Sequence, residues 1–144
     1  MKKNNWIFLM IGAILTLTAC GSATSTPVVP AQSDTVTVDI IYLNHPPVIA
    51  VLDQVDAVLQ PYGDMVKIVR YDFDTPEGAA FAQKMGITGH DPLAIFVNGS
   101  QSFNLDGRTV IFNSFPQGAG TGMVPDGAWT TDDLDAVLKI VTGK

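Results

Sequence analysis

Cysteine is nearly absent from this chain, which has one among its 144 residues, Cys20. A single cysteine forms no disulfide within its own chain and supplies no pair of thiols for disulfide exchange. Basic residues are also few: eight Lys and Arg residues stand against fourteen Asp and Glu residues, and the formal net charge is −6. Because a chain this acidic is repelled by phosphate backbones, we expect no nucleic-acid partner.

The first nineteen residues differ in composition from the rest. Lys2 and Lys3 precede an apolar stretch from Trp6 to Ala19, and its 14 residues are short for a bilayer span. A basic start followed by an apolar stretch of this length is typical of a secretory signal peptide. The stretch runs into Leu-Thr-Ala-Cys. This ending resembles the bacterial lipoprotein signal, in which the cysteine is lipidated and becomes the first residue of the mature chain.

The lipoprotein resemblance implies that Cys20 carries palmitate or related acyl chains. Each buried CH₂ contributes ~0.8 kcal/mol, so several acyl chains anchor a protein durably. The expected location is a cell membrane, on its extracytoplasmic face, whether periplasmic or at the cell surface. Loss of the leader removes Lys2 and Lys3 and no acidic residue, which takes the net charge to −8. With Cys20 acylated, no free thiol is left for catalysis. An uncleaved anchor with a chance cysteine is the alternative.

This composition divides the chain into three parts. Residues 1–19 are predicted to be the lipoprotein signal peptide, and residues 20–33 a lipid-anchored tether rich in small residues and proline. The thirteen residues after Cys20 reach at most ~45 Å when extended, so the tether holds the rest of the chain near the membrane. Residues 34–144 are long enough for one domain with an apolar core.

The first half of the domain shows a strand, a helix and a second strand. Apolar residues alternate from Thr35 to Leu43, recur at helical spacing from Val48 to Gln60, and are dense again from Met65 to Phe73. The break between strand and helix is Asn-His-Pro-Pro, and proline suits a first helical turn. A strand–helix–strand unit of this length predicts a parallel strand pair.

The second half continues with a helix, three strands and a last helix. A helix capped by Thr75 is predicted to end at Gly86. A buried strand, Leu93–Val97, follows and ends at Asn98-Gly99, a dipeptide typical of a tight hairpin turn. A hairpin is predicted over residues 101–113, a long loop over residues 114–127, and a final helix from Thr131 onward. The predicted order is therefore β-α-β-α-β-β-α.

One segment, from Gly86 to Gly99, reads Gly-Ile-Thr-Gly-His-Asp-Pro and then an apolar run to Asn-Gly. It resembles the thioredoxin family, in which a Gly-Ile-x-Gly-x-Pro turn with a cis proline precedes a central strand ending in Asn-Gly. Pro92 stands one residue later than in that pattern. Further likeness lies in residues 51–55, 72–74 and 127–130. The resemblance implies an α/β fold, a thioredoxin-like three-layer sandwich with a hairpin and loop insertion before the C-terminal helix.

Thioredoxins carry Cys-x-x-Cys in the turn between the first strand and first helix, facing the proline loop. Here the turn is Asn44-His45-Pro46-Pro47, about two residues shorter and without cysteine. We therefore expect no thiol–disulfide oxidoreductase activity and no enzyme. The groove beside the proline in this family offers backbone groups to an extended chain. The predicted role is a non-catalytic binding or adaptor module for an unknown protein or peptide, with Asn44, Pro47 and Pro92 in the partner-binding loops.

Metal binding is the alternative function. If the fold is thioredoxin-like, His45 lies in the former active-site turn, and His90 with Asp91 lies in the facing loop. Two imidazoles and a carboxylate suit Zn²⁺ or Cu²⁺. The simpler interpretation needs no cofactor: both histidines hydrogen-bond to backbone groups, and Asp91 caps its turn. A redox protein that borrows a partner's thiol is a third, less favoured hypothesis.

Other motifs favour structural roles. Asp72 and Asp74 close a strand and precede a helix cap, which favours solvated structural carboxylates over acid–base chemistry. The glycine-rich residues 118–122 lack a following lysine, so phosphate binding is not expected. Four large side chains are interpreted as core or loop anchors, with an exposed apolar patch as the alternative for the first three of them: Phe112, Phe115, Met123 and Trp129.

Overall fold

The computed structural model describes residues 35–89, 91–122 and 124–144. The chain divides into two units, Met1–Pro30 and Ala31–Lys144, and only the second contains described residues. The predicted signal peptide and tether, with Cys20, therefore lie outside the described residues. Over the described ranges, none of the helices has both the length and the apolar character needed to cross a bilayer.

The domain is a mixed α/β structure, as the pattern of its sequence predicts. Two strands alternate with two helices in its first half, and three strands precede a last helix in its second half. The elements are β1 (Val36–Tyr42), α1 (Pro46–Leu59), a 3₁₀ segment (Gln60–Met65), β2 (Val66–Asp72), α2 (Pro76–Met85), β3 (Leu93–Val97), β4 (Ser102–Leu105), β5 (Arg108–Ile111) and α3 (Thr131–Thr142).

The main sheet has three strands in the order β2-β1-β3. The outer strand β2 runs parallel to β1, with Val36 opposite Val66, whereas β3 runs antiparallel to β1, with Tyr42 opposite Leu93. β4 and β5 pair with each other as a separate hairpin. The far side of β3 is joined by the chain that follows β5, through an antiparallel bridge between Ala94 and Asn113.

Each face of the main sheet packs against different helices. One apolar cluster contains Val38 and Ile40 of β1 together with side chains of α1 and α3. A second, smaller cluster contains Ile41 of β1 with Phe81 and Ala82 of α2. Because side chains of a strand alternate between the two faces, the apolar residues of β1 contribute to both clusters. α2 thus packs on one face of the sheet and the pair formed by α1 and α3 on the other, while most residues of the outer strand β2 are exposed or half-buried.

The ends of α2 and α3 follow from local chemistry. The hydroxyl of Thr75 accepts a hydrogen bond from the N–H of Gly78, which caps the start of α2, and Gly86 ends this helix at φ 69°. At α3, Thr130 and Asp133 form a reciprocal capping box. The start of α2 matches the threonine cap expected from the sequence, and α3 begins at Thr131, as predicted.

Helix α1 begins two residues earlier than the apolar spacing predicts. Pro46 and Pro47 occupy its first two positions, where a missing N–H costs nothing, and His45 is its N-cap. Pro47, predicted to lie in a loop, is therefore part of the first helical turn. The inward face is as predicted, since the five apolar residues at helical spacing are all buried: Val48, Val51, Leu52, Val55 and Leu59.

The large side chains of the second half lie in the core. Phe112, Phe115 and Trp129 are completely buried, which confirms the interpretation of these three as core residues. The Phe112 and Trp129 rings meet edge to face at 5.4 Å, and the indole N–H of Trp129 donates to the Asn113 carbonyl at 2.9 Å. Residue 123 lies outside the described residues, so the same prediction for Met123 is not tested.

Candidate functional site

The turn between β1 and α1 lies directly beside the loop that contains Pro92. The backbone N–H of Leu43 donates a hydrogen bond of 2.9 Å to the carbonyl oxygen of Pro92. This bond extends the β1–β3 ladder by one step, beyond the pair formed by Tyr42 and Leu93. Two segments that stand far apart in the sequence, Asn44–Pro47 and the residues just before Leu93, therefore meet at one end of the sheet.

The N-terminus of α1, which forms one side of this meeting point, offers few hydrogen-bond donors. Pro46 and Pro47 have no N–H, and the N–H groups of Val48 and Ile49 both donate to the carbonyl oxygen of His45, at 2.9 and 3.1 Å. The His45 side chain makes no capping bond. An anion at this helix end would find the positive end of the helix dipole but no free N–H in the first turn.

Asp72, at the end of β2, holds several segments of the site together. One carboxylate oxygen accepts from the side-chain amide of Asn44 at 3.1 Å, and the other accepts from the N–H of Asp74 at 3.0 Å. Its backbone carbonyl accepts from the N–H and the hydroxyl of Thr75, at 3.1 and 2.8 Å. The structural role favoured for Asp72 by its sequence position is thus the one observed, and its contact with Asn44 adds a link across the strand ends.

The Pro92 loop leaves α2 at Gly86 and enters β3. The N–H of Ile87 still donates to the carbonyl of Ala82, so the start of the loop is fixed to the last turn of α2. Asp91 and Pro92 are half-buried. Within the described part of the chain, neither the N–H nor the C=O of Asp91 has a hydrogen-bond partner. This residue therefore presents unpaired backbone groups beside the α1 turn.

The residues proposed for a metal site are only partly described. His45 is exposed at the start of α1, and Asp91 is half-buried in the Pro92 loop, but His90 lies outside the described residues. Across the described ranges, no three or more His, Cys, Asp or Glu side chains are grouped closely enough to hold a metal ion. The structure brings the segments of His45 and Asp91 together, and the role of His90 stays a prediction.

The glycine-rich loop before α3 is closed by a carboxylate of its own chain. Asp126 accepts hydrogen bonds from the N–H groups of Gly118, at 3.0 Å, and of Gly120. A side chain at Gly120 would collide with this carboxylate, since its Cβ would lie 2.5 Å from Asp126 Oδ1. The amides that a phosphate would need are thus already occupied. The sequence did not reveal this arrangement, because nothing local links Asp126 to glycines six and eight residues earlier.

Comparison with known proteins gives no family assignment. No protein-family model matches the chain, and no curated protein matches it. Among solved structures, a malarial protein is 15% identical and superimposes with a TM-score of 0.45 over 74% of this chain and 96% of its own. Chloroplastic thioredoxin z is 14% identical, with a TM-score of 0.44 over 79% of this chain and 84% of its own. At such scores neither similarity decides fold or function.

Proposed function

We propose that residues 34–144 form a thioredoxin-like domain that binds an extended segment of a partner protein and catalyses no reaction. The domain is held by lipidated Cys20 at the extracytoplasmic face of a cell membrane, through the tether of residues 20–33. The observation that carries the binding proposal is the hydrogen bond from Leu43 to Pro92, because it sets the proline loop against the turn that replaces a redox motif.

The thioredoxin-like arrangement is supported by how the elements share the sheet. α1 and α3 contribute to one apolar cluster and α2 to the other, which fits a three-layer sandwich. Beyond β3, Ile95 donates to the carbonyl of Phe112, and Ser114 donates to the carbonyl of Leu93. We interpret residues 112–114 as the end of a fourth strand, into which the β4–β5 hairpin is inserted.

The absence of catalysis rests on chemistry at the former active-site turn. A thiol-exchange protein needs a thiolate stabilised at a helix N-terminus and a second thiol to resolve the mixed disulfide. The only cysteine of the chain is Cys20, far from this turn in sequence. The first turn of α1 has lost two donors to Pro46 and Pro47, so a borrowed thiolate would also be poorly stabilised there.

Peptide binding is supported by the backbone of the Pro92 loop. An extended peptide laid along Asp91 finds both a donor and an acceptor, which is the requirement for adding one strand to a sheet edge. On the other side of the Leu43–Pro92 bond, the side chain of Asn44 is held in place by its hydrogen bond to Asp72. Because backbone groups make the contacts, we expect recognition to tolerate many partner sequences.

A displayed library of random twelve-residue peptides, selected against the full-length protein in detergent, tests the proposal. Asp91→Pro removes the N–H of this residue, and Asp91→Ala is the matched control that keeps it. We expect selected peptides to bind the Ala variant with affinity within about twofold of wild type and the Pro variant at least about tenfold more weakly, since a lost buried bond costs about 1–3 kcal/mol. Failure to select any peptide, or equal binding by both variants, would contradict the proposal.

Metal binding by His45, His90 and Asp91 is a second proposal. It is favoured by one observation, the adjacency of the His45 turn and the Asp91 loop shown by the Leu43–Pro92 bond. Neutral imidazoles are ligands that Zn²⁺ and Cu²⁺ prefer. The two histidines and the carboxylate of Asp91 would together supply three ligands. The two proposals are compatible only in part, because a metal at this position would occupy the groove.

A further inference from the structure

The outer strand of the main sheet, β2, has a neighbour on one side only. β1 pairs with it along its whole length, and within the described ranges no other strand lies beyond it. Lys67, Ile68 and Arg70 are exposed, and because successive side chains point to opposite faces, both faces of the strand are open near its middle. An edge strand in this situation is a template to which another strand can add.

The hydrogen bonds of β2 show which of its backbone groups point outward. Phe73, which follows β2, donates its N–H to the carbonyl oxygen of Tyr42 in β1 at 2.9 Å. The backbone groups of successive strand residues point to opposite sides, so the odd-numbered residues of β2 face β1, whereas Ile68 and Arg70 point away from it. In the part of the chain that the structure describes, the N–H and C=O groups of these two residues have no hydrogen-bond partner.

The two ends of this outer edge are each half occupied. At one end, the N–H of Val66 donates to the carbonyl oxygen of Gly63. At the other end, the carbonyl oxygen of Asp72 accepts from the N–H of Thr75 at 3.1 Å. The groups left pointing outward are therefore the C=O of Val66, the N–H of Asp72, and both groups of the two outward residues between them.

We propose that this edge pairs with the same edge of a second copy of the chain, antiparallel and about a two-fold axis at Val69. Ile68 then lies opposite the partner's Arg70, and each such pair exchanges two hydrogen bonds. Val66 lies opposite the partner's Asp72, where the available C=O meets the available N–H. The two groups that are already occupied also fall opposite each other, so every outward group finds its complement.

Neighbouring registers lose part of this match. With Ile68 opposite its own copy, the C=O of Arg70 would face the occupied N–H of Val66. With Arg70 opposite its own copy, the N–H of Ile68 would face the occupied C=O of Asp72, and two guanidinium groups would lie side by side. Like charges directly opposite each other destabilise a sheet. Hydrogen bonding and charge therefore both favour the axis at Val69.

The side chains also complement each other in this register. Lys67 lies opposite the partner's Tyr71, whose half-buried ring offers apolar surface to the lysine stem. Val69 meets its own copy at the axis. Ile68, which is 41% exposed in the single chain, is covered by the aliphatic part of the partner's Arg70. The pairing joins two three-stranded sheets into one of six strands and places no like charges directly opposite each other.

This association goes beyond the proposed function and does not rest on it. The outward edge of β2 lies on the side of the sheet away from β3, whereas the Pro92 loop leads into β3. A failure of peptide binding therefore leaves the pairing of two copies untouched, and its tests use no peptide.

Cysteine cross-linking of the full-length protein in detergent tests the register. Val69→Cys places two thiols at the axis, where opposite Cα atoms are about 4.5 Å apart and within reach of a disulfide. Lys67→Cys is the matched control, because Lys67 is on the same face and more exposed, yet its two copies are offset by four residues, about 13 Å. Wild type, which retains Cys20, sets the background.

We expect the variant Val69→Cys to form disulfide-linked dimers at least about fivefold faster than Lys67→Cys, with the link located at residue 69 by mass spectrometry. Equal or faster linking through Lys67→Cys would overturn the pairing, because it would indicate random collision of exposed thiols.

Charge substitutions at Ile68 test its contact with the partner's Arg70, and the exposure of Ile68 keeps them compatible with the fold. Ile68→Glu places a carboxylate opposite the guanidinium, and Ile68→Lys a second cation. In sedimentation equilibrium we expect the Glu variant to dimerise at least about fivefold more tightly than the Lys variant. General repulsion between chains of net charge −6 predicts the reverse order. That reverse order, equal affinities, or a monomeric wild type would overturn the pairing.

Discussion

The guanidinium of Arg108, at the start of β5, lies 2.6 Å from the carboxylate of Asp133, in the first turn of α3. The same carboxylate accepts a hydrogen bond from the N–H of Thr130 at 2.9 Å and so completes the capping box of α3. One buried acidic side chain thus starts the last helix and ties the inserted hairpin to it.

Replacing Asp133 should destabilise the domain. Asp133→Ala removes a helix cap and leaves the N–H of Thr130 without its acceptor, so we expect a loss of about 2 kcal/mol in the free energy of unfolding. Urea unfolding measures it. Asp132→Ala is the matched control, because Asp132 is exposed in the same helical turn, and it should change stability by only about 0.5 kcal/mol. Equal losses in the two variants would refute the role of Asp133.

The contribution of Asp133 should also depend on pH. Burial alone would raise the pKa of Asp133, but hydrogen bonds from Arg108 and Thr130 and the charge of Arg108 hold it below 3.8. A depressed folded-state pKa means that this stabilisation is complete above 3.8 and is lost as the pH falls through the folded value. The stability difference between wild type and Asp133→Asn should therefore be constant from pH 7 to 5 and shrink below 3.8. A constant difference down to pH 2 would contradict this.

Gly78 should be irreplaceable in α2. A Cβ at this position would lie 1.8 Å from the backbone oxygen of Asp72, and no flexible side chain stands there to give way. Helix propensity alone favours Gly78→Ala by about 1 kcal/mol. We instead expect the variant to lose at least about 2 kcal/mol, because α2 must move away from the strand end. Thermal unfolding measures this loss. A variant as stable as wild type would show that α2 does not lie so close to the Asp72 backbone.

Cys20 should determine where the protein is found. Cys20→Ser removes the only thiol of the chain and with it the expected acyl chains, so the protein should move from the membrane fraction to the soluble extracytoplasmic fraction. Fractionation with detection by antibody measures this, and mass spectrometry of the wild-type N-terminus should show an acylated Cys20. A Ser variant that stays in the membrane would indicate an uncleaved anchor instead.

Metal binding can be tested without knowing a partner. Isothermal titration of metal-stripped protein with Zn²⁺ or Cu²⁺ should show micromolar binding if His45, His90 and Asp91 act together. The affinity should fall as the pH drops, because a protonated imidazole cannot bind a metal ion. His45→Ala should abolish binding, and Asp53→Ala, an exposed carboxylate elsewhere on α1, should not. An absence of heat at micromolar metal would rule out this second proposal.

What the sequence predicted correctly depends on local chemistry. Asn98 and Gly99 both have positive φ, 50° and 77°, as a two-residue hairpin turn requires, and Val97 exchanges hydrogen bonds with Ser100 across it. Thr75 caps its helix through its own hydroxyl. Such features are specified within about four residues, so a single sequence is enough to find them.

What the sequence did not predict depends on residues far apart in the chain. The bond from Asn44 to Asp72 follows from two strands that end side by side, and the contact of Arg108 with Asp133 from the way the inserted hairpin lies on α3. No spacing in the sequence indicates either contact. The start of α1 was predicted two residues late for a different reason: the apolar spacing begins only at Val48, whereas Pro46 and Pro47 occupy the first two helical positions.

The most direct test of a peptide-binding groove is an NMR titration of the ¹⁵N-labelled full-length protein with the tightest peptide from the library. We predict that the largest shifts of backbone amides occur at Asn44, Val48, Asp91 and Leu93, on the two sides of the Leu43–Pro92 bond. Shifts confined to the β4–β5 hairpin or to residues 114–127, with Asp91 unmoved, would contradict it.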